Sequence, residues 1–169
     1  MKQTDNFKFD EANVMNELVY RNLYEDEKRQ ICAWKYGGEY DLYNLPSYEE
    51  MQVRQIGFMN PQRGKNYYGF WDESILVGFV NILEEKEEVF IGIGVNPDLC
   101  NKHYGQRMLL ITYEISKKLY PNKPLYLEVR TWNIRAIKCY QKAGFRIDGQ
   151  AYELTTGIGT GTFYRMIRE

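Results

Sequence analysis

Two stretches of the chain hold chemically useful groups at informative spacings. The first begins as a strand-like apolar run, VFIGIGV over Val89–Val95, and passes through Asn96-Pro97 and the loop DLCNKHYGQR into a helix. The first amides of a helix have no partner inside it and lie at the positive end of its dipole, so this junction predicts an anion site that suits a pyrophosphate. Gly105, with no Cβ, would let the backbone come close to a phosphate, and it would serve equally well to relieve a tight turn. The second stretch, LYLEVRTWNIRAIKCYQKAGF, sets Asn133 at a helix start, Ala136 and Tyr140 on one helical face, and Gly144 at the helix end. Taken singly, these read as an N-cap, two packing residues and a left-handed C-terminal glycine.

Several other chemistries lack their parts. The three cysteines, Cys32, Cys100 and Cys139, are odd in number and show no CxxC spacing, which argues against a disulfide framework and a zinc site and predicts reduced thiols. A single histidine, His103, gives a multi-histidine metal centre or a serine-histidine triad little to draw on, so no metal is expected. No Gly-x-x-x-x-Gly-Lys-Ser/Thr loop is present, which disfavours a P-loop nucleotide-binding domain.

The elements that must position these groups follow from periodicity. Leu18 to Tyr20 reads as a short strand after a loosely held terminus over residues 1–16, leaving 17–169 for one domain. Glu25 to Trp34 reads as a helix with an acidic first turn, stopped by Gly37-Gly38. A Tyr-rich loop from Tyr36 to Pro46 leads to a second helix, with Ser47 and Glu50 as its capping box and an end near Gly57. Tyr67–Trp71, Ile75–Leu83 and Val89–Val95 then form an antiparallel meander. From Gly105, Met108, Ile111, Ile115 and Leu119 recur at three- and four-residue steps as the buried stripe of a long helix ending before Pro121. Strand Leu125–Val129, helix Asn133–Ala143, a strand from Phe145 to Ile147 and a last strand from Thr162 to Ile167 complete the chain. A strand, crossover helix and strand in one sheet imply a parallel pair, so the fold class is a mixed α/β sheet covered by helices.

Composition agrees with a compact globular chain: of 169 residues, 44% are hydrophobic and 27% charged. A formal net charge of -1, from 22 Lys+Arg against 23 Asp+Glu, supplies no field to hold a phosphate backbone or an anionic bilayer. Nucleic acid and membrane are therefore not expected partners. The polar start MKQTDNFKFDE lacks the apolar stretch of a secretory signal, which gives a cytoplasmic location as the default. Tyrosine, at 15 residues against 8 Phe, suits a pocket that needs both apolar surface and hydroxyl groups.

Together the two stretches resemble the GNAT superfamily of N-acetyltransferases. That signature has a Val-x-Pro strand end, a Gln/Arg-x-x-Gly-x-Gly/Ala loop, and an Asn-x-x-Ala-x-x-x-Tyr-x-x-x-Gly-Phe helix. Here these are Val95-Asn96-Pro97, then Lys102-His103-Tyr104-Gly105-Gln106-Arg107, then Asn133, Ala136, Tyr140, Gly144 and Phe145. The helix matches at every stated position. The loop departs twice: Lys102 keeps a positive charge where Gln or Arg is usual, and Arg107 replaces a small residue. Arg107 would crowd a pyrophosphate if it pointed inward, or reach it as a cation.

The resemblance implies a mostly antiparallel sheet whose parallel strand pair splays apart, with helices on both faces and acetyl-coenzyme A held in the gap. Ile93, Gly94 and Val95 would pair with the pantetheine arm, and Lys102 to Arg107 would hold the pyrophosphate. Asn133 would hydrogen-bond the arm or order water, and Tyr140 would protonate the departing thiolate, with a backbone amide near Val95 stabilising the oxyanion. Glu88, one position away from a glutamate that some members use as a base, is a candidate for that role, and Glu128 is another with no stronger support. Trp34, Tyr36, Tyr40 and Tyr43 would wall the amine acceptor, with Glu39 or Asp41 drawing its charge. The activity implied is acetyl transfer to a small amine or a peptide N-terminus, by a monomer or homodimer. A non-catalytic acyl-coenzyme A sensor on the same fold is the alternative, motivated by Arg107 and the unassigned base.

Overall fold

A computed structural model describes residues 18–169; the terminus expected over residues 1–16 lies outside the described residues. The first hairpin-like meander joins β1 (Leu18–Asn22), β2 (Tyr67–Asp72), β3 (Ile75–Glu84) and β4 (Val89–Val95). After it come β5 (Leu125–Arg130), β6 (Arg146–Ile147), β7 (Tyr152–Thr156) and β8 (Gly159–Arg168). All eight belong to one sheet in the order β1-β2-β3-β4-β5-β8-β6, with β7 also on β8. Every pairing is antiparallel except that of β4 with β5. The mixed α/β sheet with one parallel pair is thus the fold that the residue pattern implies.

Among the described residues four helices cover the sheet: α1 (Glu25–Ala33), α2 (Tyr48–Arg54), α3 (Tyr104–Leu119) and α4 (Ile134–Lys142). Strand alternation separates them onto two faces. A Cβ at Gly78 of β3 would meet Met108 of α3, whereas the next residue, Phe79, packs its ring 6.2 Å from that of Trp34, just past α1. One core therefore joins Val80, Ile82, Val89, Ile91, Leu125 and Leu127 to Met108, Leu109 and Ile137. The other joins Leu76 and the edge of Phe79 to Ile31, Cys32, Tyr48, Met51 and Phe58.

α3 sits over β3 and β4 and carries most of the first core. Its buried face is broader than the expected stripe: Leu109, Thr112 and Ser116 are buried beside Met108, Ile111 and Ile115. Leu119, by contrast, is half exposed at the last helical position, where the helix has run past the sheet. Leu109 is fully buried, so Leu109→Ala is expected to cost about 2–5 kcal/mol through lost contacts and a residual cavity, read as a lowered urea midpoint.

Five local expectations change. Glu50 does not close a box with Ser47: Ser47 Oγ accepts the Glu50 amide at 3.1 Å, but the Glu50 carboxylate is taken by Arg54 one turn on, at 2.9 Å. α2 then stops at Arg54 because Gln55 turns left-handed (φ 51°). The Tyr-rich loop contains a 3-10 turn over Gly38–Tyr43, and Tyr152–Thr156 forms the strand β7, hairpinned onto a β8 that begins at Gly159 rather than Thr162.

Candidate active site

The sheet opens where its one parallel pair fails. β4 and β5 are in register only at Val89 with Leu125 and Phe90 with Tyr126. Beyond that point β4 stays on β3 as far as Val95, while β5 stays on β8 through six paired residues to Arg130. The two strands diverge and leave a wedge. Antiparallel pairing alternates the direction of backbone groups, and the Asn96 amide donates to Val77 O at 2.9 Å on the β3 side. The N–H and C=O of Val95, Ile93 and Ile91 consequently turn toward β5, as the Val89 amide does in donating to Pro124 O at 2.9 Å. Past Phe90 those groups face the wedge instead of a strand.

The wedge forms a cleft of about 680 Å³. Its floor is the end of β4, where a side chain would displace a neighbour: at Gly94 a Cβ would lie 2.4 Å from the ring of Phe79, its partner on β3. One wall is the start of α3. His103, left-handed at φ 64°, precedes that helix, and its first turn holds no acidic residue, so its free amides and dipole face the opening without a competing carboxylate. Gly105 is explained chiefly by packing, because a Cβ there would approach Cys139 Sγ of α4 at 3.0 Å. Burial raises the Cys139 thiol to about 11, so this sulfur is a neutral contact rather than a nucleophile at neutral pH.

α4 makes the facing wall. Asn133 Oδ1 accepts the Ala136 amide at 3.1 Å, capping the helix, and its Nδ2 donates to Tyr43 Oη at 3.2 Å. Both ends of that side chain are engaged, so Asn133 works here as the cap that also fixes Tyr43. Tyr140 follows two turns later with its ring on the cleft, and Gly144 ends the motif left-handed at φ 89°. Burial pushes the Tyr140 phenol well above its ordinary value, with Cys139, Tyr43 and Tyr36 reinforcing the shift. It is therefore held as a neutral hydrogen donor. Tyr36, from the segment after α1, donates to Val95 O at 2.6 Å and closes the rim across the β4 end.

Of the residues singled out by sequence, Tyr36, Tyr43, Ile93, Gly94, Val95, His103, Tyr104, Gly105, Gln106, Asn133 and Tyr140 line the cleft. Five do not. Trp34 is buried against Phe79 in the second core. Tyr40 packs its ring, tilted, 5.7 Å from that of Trp132, with the Arg135 guanidinium 3.9 Å from its ring. Lys102 is exposed in the turn before α3, and Arg107 lies over the ring of Tyr104, 5.2 Å from its centroid, rather than across the opening. Glu88 is off the cleft because its carboxylate is paired with Arg165 of β8, the register partner of Glu128. Glu39 and Asp41 are exposed and also lie off the cleft. Glu128 does reach it, with Tyr152 Oη donating to its carboxylate at 3.0 Å.

Sequence reasoning passed over the cations Arg130, Arg135, Lys138 and Lys142, all on the cleft lining. A signal existed: 135, 138 and 142 recur at helical steps on α4.

Solved structures share this fold. A GNAT-family acetyltransferase from Bacillus anthracis superposes with a TM-score of 0.71 at 19% identity, over 90% of this chain and 94% of that one. Spermidine N-acetyltransferase from Vibrio cholerae, solved with CoA and spermine, gives 0.67 at 18%, over 90% and 95%. AAC(6')-Ib with ribostamycin and coenzyme A gives 0.67 at 17%, over 88% and 92%. No curated protein matches the sequence. The model of the Acetyltransferase (GNAT) family matches residues 18–145, which span the meander, the splayed pair and the Asn133–Phe145 helix. The chain belongs to the GNAT acetyltransferase family.

Proposed function

We propose that the protein transfers an acetyl group from acetyl-coenzyme A to a primary amine. The observation that carries this reading is the unpaired edge of β4 opening into a cleft that holds the Tyr140 phenol at one wall and the Glu128 carboxylate at another. The residues present fit the coenzyme. The N–H and C=O of Ile93 and the N–H of Val95, whose carbonyl is taken by Tyr36, would pair with an amide-bearing arm as a missing strand would, and the acid-free start of α3 suits a pyrophosphate. Arg135, Lys138 and Lys142 add positive charge along the same opening.

When bound, the coenzyme supplies an activated thioester as acyl donor. A β4 amide facing the wedge would stabilise negative charge developing on the carbonyl oxygen. Glu128 would receive the proton of the incoming amine, its orientation fixed by Tyr152. Tyr140, kept neutral by burial, would donate to the departing sulfur.

A thiol-release assay with acetyl-coenzyme A over a panel of primary amines tests the reading; no release above the coenzyme-only background with any amine overturns it. Glu128→Gln keeps the Tyr152 contact sterically possible but removes the base. Its kcat/KM is expected to fall about 10-fold or more near neutral pH and to recover in part at alkaline pH, where the free amine supplies itself. A flat pH response identical to that of the parent would remove Glu128 from the base role.

A further inference from the structure

One buried cation on the cleft is used by none of these steps. Arg130, the last residue of β5, is 8% exposed and lines the cleft. Its Nε has no hydrogen-bond partner, and among the described residues its guanidinium meets no carboxylate. Instead the group is held as a flat plate: its carbon sits 4.9 Å from the centroid of Phe163, and Gly161 leaves room for it, since a Cβ there would lie 2.1 Å from Nη1. A buried, charged fork without an anion is costly, and such a group is normally satisfied by a carboxylate or phosphate in bidentate contact.

Two neighbours identify the direction from which that anion would come. Arg130 pairs in register with Phe163, and Glu128 with Arg165, so Glu128 and Arg130 share one face of β5, roughly 6.6 Å apart along the strand. That is the face bearing Tyr152 and the ring of Phe90, which packs 5.4 Å from Tyr126. It is opposite the face on which Leu127 and Val129 enter the first core beneath α3 and α4. The Tyr43 phenol, which rims the same region, also feels the Arg130 charge. Among the described residues lining the cleft only Glu128 is acidic, against Arg130, Arg135, Lys138 and Lys142. A polycationic acceptor would find little to neutralise it there.

We infer that the acceptor carries a carboxylate close to its amine, an amino acid or a compound of that kind, and that Arg130 anchors the carboxylate while Glu128 faces the amine. This rests on the transferase reading above and adds the acceptor class to it. Phe79, Phe90 and Phe163 line the same space and give an acceptor side chain apolar surface.

The test is acceptor selectivity in matched pairs, each an amino acid and the amine left on removing its carboxylate, for example phenylalanine and phenethylamine, followed by thiol release. The acid member of the best pair is expected to show at least about 10-fold higher kcat/KM, because a site built around a buried charge rejects a partner that leaves it unpaired. Arg130→Met should abolish that preference by raising KM for the acid, leaving KM for acetyl-coenzyme A and turnover with the decarboxylated amine near the parent values. Arg130→Lys should restore part of it, and Gly161→Ala, which displaces the guanidinium without removing its charge, should weaken it. Equal use of both members, or a rise in the coenzyme KM with selectivity unchanged, overturns the inference, the latter by assigning Arg130 to the coenzyme. A binding measurement separates this from failure of the transferase reading. Calorimetry of the coenzyme A-saturated protein with N-acetylphenylalanine should show tighter binding than with its primary amide, and Arg130→Met should erase the difference. Equal affinities overturn the anchor even if no amine is acetylated. Persistence of the difference in the variant does the same.

Discussion

Tyr140→Phe is expected to lower kcat about 100-fold, within the range that a positioned proton donor supplies, while the dissociation constant for acetyl-coenzyme A stays within about twofold of the parent. The substitution removes one oxygen and keeps the ring. The ring contributes to the packing of the first core and to the wall of the cleft, so the binding surface survives the change. What is lost is a hydroxyl that burial keeps protonated. The sign matters for the pH profile: a phenol whose pKa is raised above its ordinary value of about 10 stays neutral across the physiological range, so its ionisation gives no alkaline decline in kcat below about pH 10. Steady-state thiol release and calorimetry with the coenzyme make the two measurements. A variant with undiminished kcat would show that the departing sulfur takes its proton elsewhere, and a variant that also loses coenzyme affinity would show that the hydroxyl is a binding group.

How Tyr140 came to be legible, and Arg130 not, follows from what each signal depends on. The Asn133–Phe145 segment is local: a cap, a helix of fixed period and a left-handed glycine place Asn133, Ala136 and Tyr140 relative to one another whatever surrounds them. The meander and the long helix were legible for the same reason, since alternation and the three-to-four step are properties of short windows. The cleft itself is a tertiary event, made by two strands that part after two paired residues. No window of sequence records where a neighbouring strand ceases to pair. The resemblance puts Trp34 and Tyr40 on the acceptor wall by their place between the first two helices, whereas contact with Phe79 and Trp132 decides their places. Glu88 and Glu128 looked equivalent for a related reason. Their separation depends on the partner across the sheet, Arg165 engaging the first and Tyr152 the second. The strand β7 was missed because YELTT holds polar and apolar residues in a weak pattern that becomes a strand on pairing with β8.

Gly78→Ala should unfold the chain more readily, by about 1–3 kcal/mol, and the sign of that change discriminates between two readings of the residue. Gly78 lies in the interior of β3, opposite Val95. If it were an ordinary strand glycine, alanine would restrict the unfolded chain and stabilise the fold by about 0.4–1 kcal/mol. The surroundings argue the reverse. An added Cβ would fall 2.6 Å from Gly94 O and 2.6 Å from Met108 Cε, with Met108 Sδ at 2.7 Å. Met108 is fully buried and flexible enough to shift, but the Gly94 carbonyl is backbone held in the β3–β4 ladder, so relief requires β4 to move away. For a chain of this length the cost corresponds to roughly 2–12 °C in the melting temperature. A double-mutant cycle with Met108→Val separates the two clashes: if the thioether dominates, the second substitution restores most of the loss, and if the carbonyl dominates it restores little. The carbonyl case carries a functional consequence, because the strand displaced is the floor of the cleft. KM for acetyl-coenzyme A should then rise in Gly78→Ala at temperatures where the variant is fully folded, while Leu109→Ala, an equally buried change in the same core, should lose stability without that rise. A shared KM increase in both variants would mean that α3 position, and not the β4 edge, governs coenzyme binding.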